Sequence, residues 1–271
     1  MTSDLESYRF PSVDLEKIRD VAVAAAARAG EILCRNWGGI HDVEKKGAID
    51  LVTEADGASE KAIIEVIRSA FPDHTILAEE SGLTLGTDPH EWIIDPLDGT
   101  TNYAHNLPEF TVSIAFAYEA KVALGLILSP VLGELFCAAS GQGAKLNGRA
   151  IRVSGVNTVR DSLLVTGFPY DLQPVICPLM GRFERCLSAA QGVRRLGSAA
   201  LDLCYVACGR FDGFWEQNLH PWDTAAGWII VEEAGGQVTD FSNGDYGIDK
   251  KEILATNGLI HQEMTELLVL P

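Results

Sequence analysis

Residues 92–103 read Trp-Ile-Ile-Asp-Pro-Leu-Asp-Gly-Thr-Thr-Asn-Tyr, an apolar run that ends abruptly in two carboxylates, a turn and a pair of hydroxyls. No other segment restricts the fold of this chain as tightly. Trp92, Ile93 and Ile94 suit a short buried strand, and Pro96, which has no N–H for a sheet ladder, stops it and leaves Asp95 at its carboxyl end. Gly99 permits a tight turn, and the residues from Thr100 onward can open a helix whose unpaired N–H groups would face an anion. One segment thus offers cation ligands and a phosphate cradle together. Taken alone, Asp-Pro-Leu-Asp-Gly is an ordinary turn, because Pro, Asp and Gly are the usual turn residues.

A hard cation such as Mg²⁺ needs further oxygen ligands in near-octahedral geometry, so the rest of the chain must supply more carboxylates. Two segments do. Ile76-Leu77-Ala78-Glu79-Glu80-Ser81 is a short apolar strand ending in paired acids, and His220-Pro221-Trp222-Asp223-Thr224-Ala225-Ala226-Gly227 places an Asp at the opening of an apolar helix. Neighbouring side chains of a strand point to opposite faces, so Glu79 and Glu80 do not both face one site, and Glu80 has the plainer reading of a solvated acid. Asp223 has a second reading as an acid that favours the positive end of its helix.

Five blocks now stand in order: Lys46 to Asp56, Glu79-Glu80, Asp95 to Tyr103, Gly197-Ser198-Ala199-Ala200, and Trp222 to Gly227 followed by Glu233-Ala234-Gly235-Gly236. In these the chain resembles the inositol monophosphatase family of magnesium-dependent, lithium-sensitive sugar phosphatases, and the likeness covers nearly its whole length. The resemblance implies a layered α-β-α-β-α sandwich, α+β or α/β in class, and Mg²⁺-dependent hydrolysis of a phosphate monoester, foremost inositol 1-phosphate. It further implies that Glu79, Asp95 and the Leu97 carbonyl hold one Mg²⁺, and that Asp95, Asp98 and Asp223 hold a second. A third, looser ion would sit near Glu79. Glu79 and the Thr100 hydroxyl would orient the attacking water, with Asp56 and Thr53 beside that network and Lys46 on a mobile loop. The backbone N–H groups of Gly99 and Thr100 would take phosphate oxygens, while Glu216, Ala199 and the Asp98 side chain would hold a polyol ring. Inhibition by lithium and a homodimer are also implied.

Relatives in the same superfamily hydrolyse fructose 1,6-bisphosphate, adenosine 3′,5′-bisphosphate or histidinol phosphate, and Gly-Thr-Thr-Asn-Tyr favours the inositol branch over these. Tyr103 departs from the Phe more usual there. Arg194-Arg195 precede Gly197 and are placed to contact a second phosphate or to cross a dimer interface, which keeps a bisphosphate substrate open. A reading from another class is a regulator that binds a polyol phosphate without turning it over.

Composition fits this chemistry. With 21 Lys+Arg against 38 Asp+Glu, the net charge of −17 argues against nucleic-acid backbones or anionic membranes as primary partners. It would also repel a substrate phosphate unless bound cations invert the local potential, so acidity and the metal expectation support each other. The six cysteines, Cys34, Cys137, Cys177, Cys186, Cys204 and Cys208, have no Cys-x-x-Cys spacing and read as free thiols, not a zinc site. The run Val21 to Ala27 mimics a signal peptide only superficially, because Asp14, Glu16 and Asp20 precede it and Arg28 follows. No apolar run approaches the ~20 residues of a membrane span. A cytoplasmic protein is expected.

Along the chain, Leu15, Ile18, Val21, Ala22, Ala25, Ala29, Ile32 and Leu33 predict a long first helix ending near Gly38. A second helix, with Ile63, Ile64 and Ile67 inward, stops at Phe71-Pro72. Runs at 110–118, 122–128 and 133–138 predict an antiparallel meander. The second half alternates strand and helix, an α/β pattern. The expected division is an N-terminal α+β domain, residues 1–150, with most of the acids, and a C-terminal α/β domain, 151–271, with Asp223 and the polyol contacts. Gly141-Gln-Gly-Ala-Lys145 lacks the spacing of a phosphate loop and reads as a turn. His105 and His220 read as packing or surface groups.

Overall fold

The structure, a computed structural model, describes residues 14–38, 43–45, 51–169, 171–173 and 175–270, with the backbone alone at 43–45 and 51–53. Helix α1 (Leu15–Asn36) opens with the Asp14 side chain accepting the Lys17 N–H, and buries Ile18, Ala22, Ala25, Ala29 and Leu33 along one stripe, as the periodicity predicts. A hairpin of β1 (Val43–Lys45) and β2 (Leu51–Thr53) leads into α2 (Glu54–Ala70), which buries Ile63 and Ile67.

Next come β3 (Thr75–Ala78), β4 (Gly82–Thr84), β5 (His90–Asp98), the short helix α3 (Thr100–Ala104), and then β6 (Thr111–Tyr118), β7 (Lys121–Ser129), β8 (Glu134–Ala139), β9 (Ala144–Leu146) and β10 (Arg149–Ala150). They form one eight-stranded sheet in the order β10-β9-β8-β7-β6-β5-β3-β4. The β6-β7-β8 meander is antiparallel, as expected, while β3 and β5 run parallel and so bring Glu79 and Asp95 to the same edge. A 3₁₀ turn (Val159–Asp161) precedes β11 (Leu163–Thr166), α4 (Ile176–Ala189), β12 (Gly192–Arg194), α5 (Ala199–Ala207), β13 (Gly213–Gln217), α6 (Pro221–Glu233), β14 (Gln237–Thr239), β15 (Glu252–Thr256) and α7 (His261–Leu268). These strands build a five-stranded mixed sheet ordered β12-β11-β13-β15-β14.

Strand alternation then fixes the layers. In β5, Trp92 and Ile94 face a core shared with α1 and α2, whereas Ile93 faces a second core shared with α5 and α6. In the smaller sheet, Val165, Phe214 and Ala255 face that same second core, and Leu164, Trp215 and Leu254 turn to a third, closed by Cys186 of α4 and Met264 and Leu268 of α7. The order is therefore helices, sheet, helices, sheet, helices, the predicted α-β-α-β-α sandwich. Sheets covered on both faces need strands that are apolar on both, which is why β5 and β6 read as continuous hydrophobic runs. Burying each Ile, Leu or Val contributes about 1.5–3 kcal/mol, so a one-residue slip of β5 would be heavily opposed.

The larger sheet and the middle helix layer meet main chain to main chain at Gly125. A Cβ on Gly125 in β7 would collide with the carbonyl oxygen and Cα of Ala226 in α6. One expectation is corrected: β5 does not stop before Pro96. It continues to Asp98 through an irregularity in which Asp95 pairs with Ser113 and Asp98 with Thr111, three residues against two. A bulge is where a strand tolerates a residue without an N–H. Among the described residues no helix is long and apolar enough to cross a membrane.

Candidate active site

Between the carboxyl edge of the larger sheet and the starts of α5 and α6 lies a cavity of about 470 Å³. Of the acids that border it, four come from the sheet edge and the start of α6. Glu79 is the first residue beyond β3, its N–H given to Ile94 O at 3.2 Å. Asp95, 1% exposed, accepts the Leu97 N–H at 3.0 Å, which curls the bulge around its carboxylate. Asp98 ends β5, and its Oδ2 accepts the Ser198 hydroxyl at 2.6 Å and the Ala200 N–H at 2.8 Å from the first turn of α5. Asp223 sits in the first turn of α6 and accepts the His220 N–H at 2.6 Å. The helix-end reading of Asp223 therefore holds beside the cavity reading: one carboxylate caps its helix and borders the cavity.

The Gly99 turn that follows Asp98 has φ of +94°, and an added Cβ would lie 2.8 Å from the Glu109 carbonyl, so both conformation and space require glycine. Buried Thr100 opens α3 and donates its hydroxyl to Leu97 O at 3.1 Å. Asn102 braces the turn by donating to Glu109 O (2.6 Å) and Leu196 O (2.9 Å). The departure at Tyr103 has a use, since its hydroxyl donates to Leu33 O near the end of α1 at 2.9 Å.

Electrostatics set the chemistry. Burial, then repulsion from Glu79, Asp98, Asp223 and Asp56, pushes the Asp95 carboxyl well above the usual range. Burial likewise raises Asp223 well above it, against the pull of the His220 N–H, with Asp98 and Glu79 adding to the rise. Asp98 is raised less, because Ser198 and the α5 N–H groups offset burial. Among the described residues, Arg195 is the single Lys or Arg bordering the cavity. So many buried carboxylates facing so little positive charge suit a hard divalent cation, which prefers oxygen donors and would relieve their repulsion.

The opposite wall holds Glu216 of β13 and Ala199 of α5. Burial first, then Asp223 and Asp98, push the Glu216 carboxyl up to about 8. Its carboxylate lies over the backbone of Gly167, where any Cβ would collide with it. Asp202, one helical turn beyond Ala199, is 1% exposed and borders the cavity, and neither of its oxygens has a hydrogen-bond partner among the described residues. Burial raises it well above the carboxylate range, with Glu216 adding to the effect.

The structure thus brings Glu79, Asp95, Leu97, Asp98, Gly99, Thr100, Ala199, Glu216 and Asp223 to one cavity. Asp56 is buried in α2 and acts on Asp95 through its charge from behind the wall. Thr53 ends β2, with its side chain outside the described residues, and Lys46 lies outside them altogether. Arg195 is on the rim and Arg194 is turned away, its guanidinium donating to Val193 O. His220 stacks on Trp222 at 4.7 Å, and His105 is exposed. The six thiols are unpaired. Sequence reasoning missed Asp202 and Gly167. An Asp inside an otherwise apolar helix was a usable signal for the first, whereas Gly167 matters only through Glu216.

A different group, His74, Asp88 and His90, clusters at the other end of β5, about 16 Å from Asp95 at the usual ~3.3 Å rise per residue. His90 Nδ1 lies 3.1 Å and His74 Nε2 3.7 Å from Asp88. Trp92 donates its indole N–H to His74 Nδ1 at 3.0 Å, so the ring proton of neutral His74 is on Nε2, the nitrogen facing Asp88. A metal would need the lone pair there, and ligating histidines use their other nitrogen as a donor. The group lies at the start of β5 and is distinct from the acidic cavity.

The chain is a five-layered α-β-α-β-α sandwich that pools carboxylates from one sheet edge and two helix starts in a single cavity. The family model for the inositol monophosphatase family matches residues 14–269, and the chain belongs to that family. It is 46% identical over 270 residues to an inositol-1-monophosphatase of Synechocystis sp., covering 99% of this chain and 94% of that one. It is 44% identical over 249 residues to a protein of Haemophilus influenzae called Nus factor SuhB, covering 90% of this chain and 93% of that one. Among solved structures, the inositol monophosphatase of Anabaena (Nostoc) sp. PCC 7120 superposes with a TM-score of 0.86 at 45% identity, over 94% of this chain and 96% of that one. The extragenic suppressor protein suhB of Bartonella henselae gives 0.90 at 42%, over 93% and 98%.

Proposed function

We propose that the chain hydrolyses a phosphate monoester, with inositol 1-phosphate the preferred substrate, and that Mg²⁺ is its cofactor. The observation that carries this is the convergence of Glu79, Asp95, Asp98 and Asp223 on one cavity whose facing wall offers Glu216 and Ala199. Glu79, Asp95 and the Leu97 carbonyl would hold one ion, and Asp95, Asp98 and Asp223 another. When bound, Mg²⁺ supplies Lewis acidity at the phosphoryl oxygens and a water acidic enough to attack near neutral pH.

The chain's own groups do the rest. Thr100, whose hydroxyl proton is given to Leu97 O, keeps its oxygen lone pairs for the attacking water, and Glu79 accepts a proton from that water. The N–H groups at the Gly99–Thr100 turn receive phosphate oxygens. Glu216 can accept hydrogen bonds from vicinal ring hydroxyls, and Ala199 leaves room for the ring. A cavity of about 470 Å³ suits one phosphorylated six-membered ring. Lithium inhibition, a homodimer and a cytoplasmic location belong to the same proposal and rest on family membership.

The test is phosphate release from inositol 1-phosphate, fructose 1,6-bisphosphate, adenosine 3′,5′-bisphosphate, histidinol phosphate and 2-glycerophosphate, each with Mg²⁺ and with chelator. Magnesium-dependent release led by inositol 1-phosphate supports the whole reading, and release led by another ester removes the substrate assignment alone. A second reading is favoured by the relatives called Nus factor SuhB, which share 42–44% identity with this chain. In that reading the chain is a regulator, and absence of release from every ester would favour it.

A further inference from the structure

We propose that Glu60 is a positioning residue that sets the Mg²⁺ affinity of the cavity by pinning the backbone that carries Glu79. The inference rests on the metal assignment above and extends it to a residue away from the cavity wall. Glu60 lies on α2, 4% exposed, and spends both carboxylate oxygens on one turn: Oε2 accepts the Glu80 N–H at 2.8 Å and Oε1 accepts the Ser81 N–H at 2.9 Å. Glu79 is thereby fixed from both sides. Its own N–H is tied to Ile94 O of β5, and the two N–H groups immediately after it are tied to α2.

The residue beside Glu60 on α2 performs the matching service for the other acidic segment. Ser59 donates its hydroxyl to Pro96 O, inside the β5 bulge that presents Asp95 and Leu97, at 2.9 Å. Two consecutive residues of one helix thus hold the two strand ends whose carboxylates would share a cation. The spacing of Glu79 from Asp95 is inherited from a rigid helix and not left to a surface turn. A near-octahedral ion tolerates little displacement of its ligands, so loosening this turn weakens binding before it affects chemistry on a filled site. A carboxylate is required because both facing groups are donors. An amide keeps one acceptor and turns its own N–H₂ toward a backbone N–H.

The experiment is calorimetric titration of the metal-free full chain and of Glu60→Gln with Mg²⁺, followed by phosphate release across the same Mg²⁺ range. The expected result is a Mg²⁺ Kd raised roughly tenfold or more, the scale on which supports behind metal ligands act. The Mg²⁺ concentration for half-maximal release should rise by the same factor, with kcat at saturating Mg²⁺ changed less than about threefold. Glu233→Gln is the control, because Glu233 clamps the Gly141 and Gly143 N–H groups in the same two-pronged way, at 2.7 Å each, on a different turn. It should leave the Mg²⁺ Kd unchanged, and an equal rise there would overturn the proposal by showing general loosening.

If Glu60→Gln does not fold, Glu60→Asp keeps the charge but shortens the reach. It should give an intermediate Kd together with faster amide exchange at Glu80 and Ser81. An unchanged Kd in the folded variant overturns the role of Glu60 alone. If the parent chain binds no Mg²⁺, the metal assignment falls with it, and if Glu60-dependent binding occurs without release from any ester, the proposal stands and the hydrolase reading falls.

Discussion

Asp98 and Ser198, a hundred residues apart, are joined by a 2.6 Å hydrogen bond from the Ser198 hydroxyl to the Asp98 carboxylate. The same oxygen takes the Ala200 N–H, and the Ser198 oxygen in turn accepts the Leu201 N–H, so the end of β5 is docked on the start of α5. This joins the proposed cation side of the cavity to the proposed polyol side. Ser198→Ala should lose both a helix cap and a charge-assisted bond, costing about 1–3 kcal/mol in urea unfolding. A cost below about 0.5 kcal/mol would mean that the docking is incidental.

Asp95 contributes to both proposed ligand sets and is sealed from solvent. Asp95→Asn should reduce Mg²⁺-dependent phosphate release to background while the circular dichroism of the chain stays native. The amide also removes a buried carboxyl raised well above its usual range, so the metal-free variant should melt at or above the parent temperature near pH 8. Near-normal turnover would refute the bridging role.

Glu216 gives a pH dependence whose sign can be worked out. Its ordinary value is 4.5 and its folded value about 8, so between these the folded chain keeps a proton that the unfolded chain has released. Its stabilising contribution is complete below about pH 4.5 and is lost as pH rises through 8, at up to ~1.4 kcal/mol per pH unit. Asp95, Asp202 and Asp223, also raised well above the carboxylate range, act in the same direction, so Glu216 accounts for part of the fall. His261, lowered by burial from 6.5 to about 4, acts oppositely between those values, which leaves pH 6.5–8 as the clean window. In chelator, urea midpoints of the parent should fall across that window. Glu216→Gln should flatten the fall, and an identical slope in both proteins would contradict the assignment.

Gly167 has no chemistry of its own, yet Gly167→Ala should push the Glu216 carboxylate aside. The expected outcome is a KM for inositol 1-phosphate raised about tenfold, as expected for the loss of one good polar contact, with a smaller change for 2-glycerophosphate. Equal effects on both esters would remove Glu216 from substrate discrimination.

Tyr103→Phe separates stability from turnover. It removes the bond to Leu33 O and should cost about 1 kcal/mol, with kcat and KM unchanged.

Local chemistry made the acidic edge readable in the sequence. Pro, Asp and Gly restrict the backbone by themselves, so 92–103 announces a strand end, a turn and a helix start without reference to the rest of the chain. Glu79 and Asp223 were recognisable as acids closing or opening apolar runs. The path of β5 was not, because its passage through Pro96 depends on pairing with Ser113 and Thr111 of another strand. Three-residue strands such as β4 and β12 are too short to show a period. Glu60 and Gly167 could not be singled out at all, since one acts on a turn twenty residues away and the other on a carboxylate in a different strand.

Gly125 meets Ala226 with no side chain between them, so the gap between the larger sheet and α6 is set by peptide atoms that every amino acid shares. Any side chain at position 125 would lever α6 away from the sheet, so a single hydrogen atom in the core decides where the Asp223 carboxylate meets the cavity.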